Sequence, residues 1–175
     1  MKFWLDTEFV EDGKIIDLIS IGIVSEDNRE LYLGNMECDF DKASQWVKDN
    51  VLAPMGFDYS DPNITIKPRN PYFWVSRETI ARKISDFCNP ETYGKPEFWA
   101  YYADYDWVVF AQLFGTMMDL PKGFPMYCRD IKQECDRLGN PELPKQGKGE
   151  HNALKDAKHN RIMFEFLAKL EQEKI

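Results

Sequence analysis

The sequence predicts an α/β fold, a mixed central sheet flanked by helices. Three observations carry that expectation. Three apolar, β-branched runs lie close together near the N-terminus; helical spacings interleaved with further short strands follow; and 175 residues at 43% hydrophobic content are enough for one domain, 1–175, with a real core.

The first strand is Trp4-Leu5-Asp6-Thr7-Glu8-Phe9. Alternate side chains of a strand share a face, so Trp4, Asp6 and Glu8 point one way and Phe3, Leu5 and Thr7 the other. Both faces are largely apolar, which places this strand inside a sheet, ending in two carboxylates. Glu11-Asp12-Gly13-Lys14 reads as a turn, Ile15 to Val24 as a second strand, and Asn28-Arg29 as a tight turn into a third, Glu30 to Leu33. Short connections imply an antiparallel meander with the Asp6 strand at one end of the run.

Asp41 to Val51 has helical spacing, with Ala43, Trp46, Val47 and Val51 on one face. Ala53 to Val75 is a long proline-bearing loop whose Tyr72-Phe73-Trp74 either packs under the loop or offers a contact surface for bases or a second subunit. Ser76 is a candidate N-cap for a helix to Cys88. Glu97 to Tyr101 is a short strand leading to a helix from Trp107 to Met118. After Pro121 and Pro125 come a short segment at Met126-Tyr127-Cys128 and a helix from Asp130 to Leu138. A glycine-bearing loop, Gly139 to Glu150, precedes a last helix from about Ala153 to Leu170.

Composition narrows the function classes. No apolar run approaches the ~20 residues of a membrane helix, and no signal-peptide core is visible. The four cysteines contain no C-x-x-C pair, which speaks against zinc and a disulfide framework and for a reduced, cytoplasmic setting. With a net charge of −8 no basic stripe shows at the level of composition, so contact with any nucleic acid is expected to be confined to few phosphates.

Four carboxylates take inward headings at the ends of elements. Asp6 and Glu8 share a strand face. Asp106 lies in helical register with Val109, Phe110 and Leu113, whereas Asp104 is better placed as the N-cap of that helix. His151 and Asp156 are five apart, about 140° on a continuous helix, so both serve one site only if His151 precedes the helix and Asn152 caps it. Asp156 then falls in the first turn on the heading of Met163 and Leu170. An ionised carboxylate facing a core needs a partner, and oxygen ligands of this kind suit Mg²⁺ or Mn²⁺. Imidazole titrates near neutrality and can accept a proton from water, which suits His151; His159 is read as structural or exposed.

Asp-Thr-Glu-Phe near the N-terminus, Tyr-Asp opening a middle helix and His-Asn-Ala-Leu-Lys-Asp opening the last resemble the three motifs of the DEDDh 3′–5′ exonucleases. That family has the ribonuclease-H-like fold. Compact size and the Y-x-x-Y-D form are most similar to its small, dimeric bacterial exoribonuclease branch known from mycobacteria. Tyr102 departs from the pattern, standing where relatives often carry Asn.

The resemblance implies a homodimeric exoribonuclease that releases 5′-mononucleotides from single-stranded or 3′-overhanging RNA, or from a short oligonucleotide, using two metal ions. Asp6 would bridge both ions, Glu8 and Asp156 would help hold the first, Asp106 would support the second through water, and His151 would deprotonate the attacking water. Thr7 and Phe9 are candidates to hold the 3′-terminal nucleotide, and Lys145 and Lys148 to reach phosphate. The alternatives are a 3′–5′ exonuclease acting on DNA, a related endonuclease, or a non-catalytic nucleic-acid-binding module on the same fold.

Overall fold

The chain's structure, a computed structural model, describes residues 1–57 and 73–173. Its centre is a six-stranded mixed sheet in the order β4-β3-β2-β1-β5-β6. Strands β1 (Lys2–Glu11), β2 (Ile16–Ser25) and β3 (Glu30–Asn35) form the expected antiparallel meander. Two-residue strands β4 (Trp74–Val75) and β6 (Arg129–Asp130) close the edges, and β5 (Glu97–Ala100) runs parallel to β1. The architecture is consistent with a ribonuclease-H-like fold.

The sheet is apolar on both faces because helices cover both. On one face Phe3, Leu5 and Ile21 pack with Ile80 and Ile84 of α2 (Arg77–Phe87) and with Val109 and Phe110 of α4 (Asp104–Gln112). Helix α2 is capped by Ser76, whose hydroxyl accepts from Thr79 N–H. The short α3 (Pro90–Tyr93) links it to β5. On the other face Trp4 packs with Ile131 and Cys135 of α5 (Ile131–Arg137) and with Met163 and Leu167 of α6 (Ala153–Glu173). Phe3, Leu5, Ile21, Ile80, Ile84, Phe110 and Ile131 are fully out of water, and each such side chain contributes roughly 1.5–3 kcal/mol.

Several expected boundaries move. Strand β1 does not stop at its carboxylates: it runs on to Glu11 against β2, with a bulge between Glu8 and Phe9. What ends is its pairing with β5, whose last partner is Trp4 opposite Trp99. Asp6 and Glu8 therefore lie just beyond the carboxyl end of a parallel pair, where β1 loses a neighbour and a crevice opens, as in other open α/β sheets. The helix expected over Asp41–Val51 begins instead at Ser44, which caps α1 (Gln45–Val47), and it loosens into a π turn over Lys48–Leu52. Helix α4 ends at Gln112 rather than Met118, because Leu113 and Phe114 tighten into three-residue turns and Gly115 takes a φ of +118°.

Asp104 does not cap α4. Ala103 occupies the N-cap position and its carbonyl accepts from Trp107 N–H, leaving Asp104 in the first turn with its side chain exposed. Of the aromatic triplet, Tyr72 lies outside the described residues. Trp74 is buried against Phe40 and Phe57, and Phe73 meets Tyr32 edge-on at 4.6 Å, so both pack within the chain.

Candidate active site

The site forms where three elements deliver side chains to the open end of β1. The strand presents Asp6 and Glu8 on one heading. Helix α6 presents Asp156 from its first turn. Asn152 precedes that helix as expected: its side-chain oxygen accepts from Lys155 N–H at 3.1 Å, and its carbonyl accepts from Asp156 N–H at 2.9 Å. Asp156 in turn accepts from Asn152 N–H at 3.0 Å and from the Gln146 amide. The helix is held on the sheet by Asn160, whose buried amide donates to Leu5 C=O at 2.9 Å.

Ligand oxygens of Asp6, Glu8 and Asp156 all lie within 4.8 Å of one another. Burial pushes the Asp6 carboxyl well above the usual range, and the Asp106, Glu8 and Asp156 charges push it further. Burial, the charges of Asp156 and Asp106, and a hydrogen bond with Asp156 raise Glu8 to about 8. The three charged neighbours that raise Asp6 are all acidic. Oxygen donors this close, with their negative forms disfavoured, make a chemically suitable seat for a hard divalent cation.

Asp106 stands outside that trio, on the opposite face of the strand. It accepts from Thr7 N–H at 2.8 Å and from the Thr7 hydroxyl at 2.7 Å. Burial raises its carboxyl to about 6, against the lowering effect of both Thr7 bonds. Its charge still reaches Asp6 and Glu8. Thr7 is buried and spends both donors on Asp106, whereas Phe9 is partly exposed and stacks on Tyr105 with ring centroids 5.8 Å apart.

His151 lies on the loop before α6, in a left-handed conformation with φ +64°. Its ring meets that of Trp46 edge-on at 4.8 Å. Two clefts share Asp6, His151 and Asp156 as a common wall. One, about 430 Å³, is bordered by Thr7, Glu8, Phe9 and Trp46. The other, about 570 Å³, is bordered by Tyr101, Lys145, Gln146 and His159. Lys148 is exposed and borders neither of these two clefts.

Three contributors escape a sequence reading. Trp46 shows only helical spacing, Gln146 only a polar loop, and His159 only a surface histidine. The one signal available for His159 is its i+3 relation to Asp156, which puts the two on the same helix face.

A family profile described as "3'-5' exoribonuclease Rv2179c-like domain" matches residues 1–168. Two relatives from Mycobacterium tuberculosis are each 34% identical over 167 residues, covering 95% of this chain and 93% of theirs. They are the 3'-5' exoribonuclease Rv2179c of strain ATCC 25618 / H37Rv and the 3'-5' exoribonuclease MT2234.1 of strain CDC 1551 / Oshkosh. Among solved structures, one chain of a structure of the yeast NOT1 MIF4G domain co-crystallised with CAF1 superposes with a TM-score of 0.54 at 14% identity, covering 98% of this chain and 80% of that one. At that identity the likeness concerns the fold alone.

Proposed function

The chain belongs to the Rv2179c-like 3′–5′ exoribonuclease family, and from that premise we propose that its acidic crevice hydrolyses the 3′-terminal phosphodiester of single-stranded or 3′-overhanging RNA, releasing 5′-mononucleotides. The observation that carries the assignment to this crevice is the convergence of Asp6, Glu8 and Asp156 within 4.8 Å, with His151 on the same wall. In this reading the residues make up a DEDDh set, with Asp106 as the fourth acidic member.

Asp6, Glu8 and Asp156 would hold the cofactor, two Mg²⁺ or Mn²⁺ ions per site, with Asp106 supporting the second from the Thr7 side of the strand. When bound, the ions supply positive charge to the scissile phosphate and lower the pKa of water. His151 takes the proton from the attacking water as the new P–O bond forms. The bond from phosphorus to the 3′-oxygen of the preceding nucleotide breaks, and that oxygen acquires a proton. Imidazole is suited to this transfer at neutral pH. Thr7 holds Asp106 in place, and Phe9 offers a ring against which the terminal base can lie.

Residues 1–175 form a single exonuclease domain in this reading. The family resemblance points to a homodimer, and the cysteine usage to the cytoplasm. No described helix is long and apolar enough to cross a membrane.

The test is digestion of matched 5′-labelled single-stranded RNA and DNA with Mg²⁺ or Mn²⁺, resolved to single nucleotides. A ladder shortening from the 3′ end of RNA, with 5′-mononucleotide product, is expected. Internal cuts, or no cleavage under any metal, would sink the proposal.

A further inference from the structure

The two clefts that share the Asp6–His151–Asp156 wall differ in chemistry. The smaller is bordered by aromatic rings, Phe9 and Trp46, and by the carboxylates Glu8 and Glu11, with no lysine or arginine among the described residues that line it. The larger holds Lys145 and His159 besides His151, so both histidines of the chain border it. Glu150 borders it too. A 3′-terminal nucleoside ends in hydroxyl groups and brings no phosphate beyond the scissile one. The chain on the other side of the scissile bond brings a further phosphate with every nucleotide. The polyanionic side of the substrate therefore fits the cleft that carries the cationic and N–H-donating groups.

Resting on the exoribonuclease reading above, we infer that the cleft bounded by Tyr101, Lys145 and His159 binds the nucleotide 5′ to the scissile bond, with Lys145 and His159 contacting the next phosphate upstream. His159 lies one turn of α6 beyond Asp156, and its imidazole N–H donates to a phosphate oxygen whether or not the ring is charged. Among the described residues Lys145 pairs with Glu142 at 3.7 Å, and both side chains are more than four-fifths exposed. An exposed pair of this kind is weak, so the ammonium is free to turn to phosphate. Tyr101 borders the cleft, and its ring lies 4.5 Å from that of Tyr102. Tyr102 is held in a left-handed conformation, φ +54°, with its N–H donating to the Asp130 carboxylate, and its ring is exposed. The two rings offer the upstream base a surface for stacking. Both groups that contact phosphate thus act on binding and not on the reacting atoms.

The test is a cycle that combines protein variants with a chemically edited substrate. Triribonucleotides are compared with a natural linkage, or a neutral methylphosphonate, one position upstream of the 3′-terminal phosphodiester. For the unaltered protein, neutralising that linkage lowers kcat/KM for release of the terminal nucleotide about tenfold, mostly through KM. In His159→Ala, His159→Gln and Lys145→Ala the same edit costs markedly less, since the group that reads the phosphate is gone. Equal cleavage of the two trimers by the unaltered protein overturns the subsite. So does an undiminished penalty in all three variants. If neither trimer loses its 3′ nucleotide, while inorganic metal still binds the acidic cluster, it is the exoribonuclease reading that fails first.

Discussion

Gly22 lies opposite Asp6 in the β1–β2 pair, and a Cβ added to it would sit 2.3 Å from the backbone oxygen of Ala153. The missing side chain is what lets the first turn of α6 settle on the sheet, so that Asp156 arrives beside Asp6. Gly22→Ala should therefore displace the start of α6, because backbone rather than a flexible side chain occupies the space. Overpacking of this kind costs about 1–3 kcal/mol. The expected outcome is a lowered melting temperature together with at least a tenfold loss of kcat and weaker metal binding by calorimetry. Unchanged metal affinity would show that Gly22 does not set the position of Asp156.

How much of this site is legible in the sequence follows from how local each cause is. Asp6 and Glu8 obey the two-residue period of a strand, and Asn152 caps a helix three residues upstream of the N–H it accepts; both are short-range rules that hold as expected. Asp104 misleads because it has the right residue type for a cap, but the helix starts one position earlier, where Ala103 supplies its carbonyl. The link from Thr7 to Asp106 spans 99 residues and depends on β5 ending at Ala100 and turning the chain back over β1. Trp46 reads as a core position because its spacing matches Val47 and Val51, yet it is 54% exposed and meets His151 through tertiary packing alone. No pattern along the chain encodes such contacts.

The Thr7 hydroxyl is the second of two donors fixing Asp106, and both are buried. Thr7→Val keeps the shape and the backbone bond but leaves one carboxylate oxygen short of a partner. Loss of a buried bond to a charged acceptor costs about 1.5–3 kcal/mol, and the Asp106 carboxyl should rise further above about 6. Expected is a kcat reduced about tenfold or more, with the acid limb of the pH profile moved upward, and near-complete recovery in Thr7→Ser. A Thr7→Ser variant as impaired as Thr7→Val would point to methyl packing instead.

Metal binding and pH should be coupled through the acidic trio. Glu8 has a raised pKa, from 4.5 to about 8, and Asp6 moves in the same direction. The folded protein without metal favours their protonated forms, so this contribution to stability is complete below pH 4.5 and is lost as pH rises through about 8. Surface carboxylates held low by hydrogen bonds, such as Asp27 and Asp119, are already ionised above pH 6 and do not mask the trend. In chelator, the melting temperature should fall by roughly 5 °C or more between pH 6 and 8.5, and Mg²⁺ or Mn²⁺ should restore more of it at the higher pH. Asp6→Asn should flatten the slope in chelator while reducing RNA cleavage at least a hundredfold. A pH-independent melting temperature in the metal-free protein would contradict the raised carboxyls.

Trp46 holds the His151 ring by its edge at 4.8 Å, on a loop residue whose backbone already sits at φ +64°. A single aromatic contact of this geometry is worth about 0.5–1.5 kcal/mol, too little to unfold the domain but enough to redistribute a loop side chain among rotamers. Trp46→Ala should therefore leave the melting temperature within about 2 °C of the unaltered protein. Its effect belongs to turnover: the fraction of molecules with the imidazole facing Asp6 and Asp156 falls, and kcat falls about three- to tenfold with it. Because Trp46 also borders the smaller cleft, KM for RNA should rise as well. Trp46→Phe keeps an edge for the imidazole and should recover most of kcat. A Trp46→Ala enzyme with normal kcat and only a raised KM would assign the ring to substrate contact alone, and His151 would then owe its placement to the loop backbone.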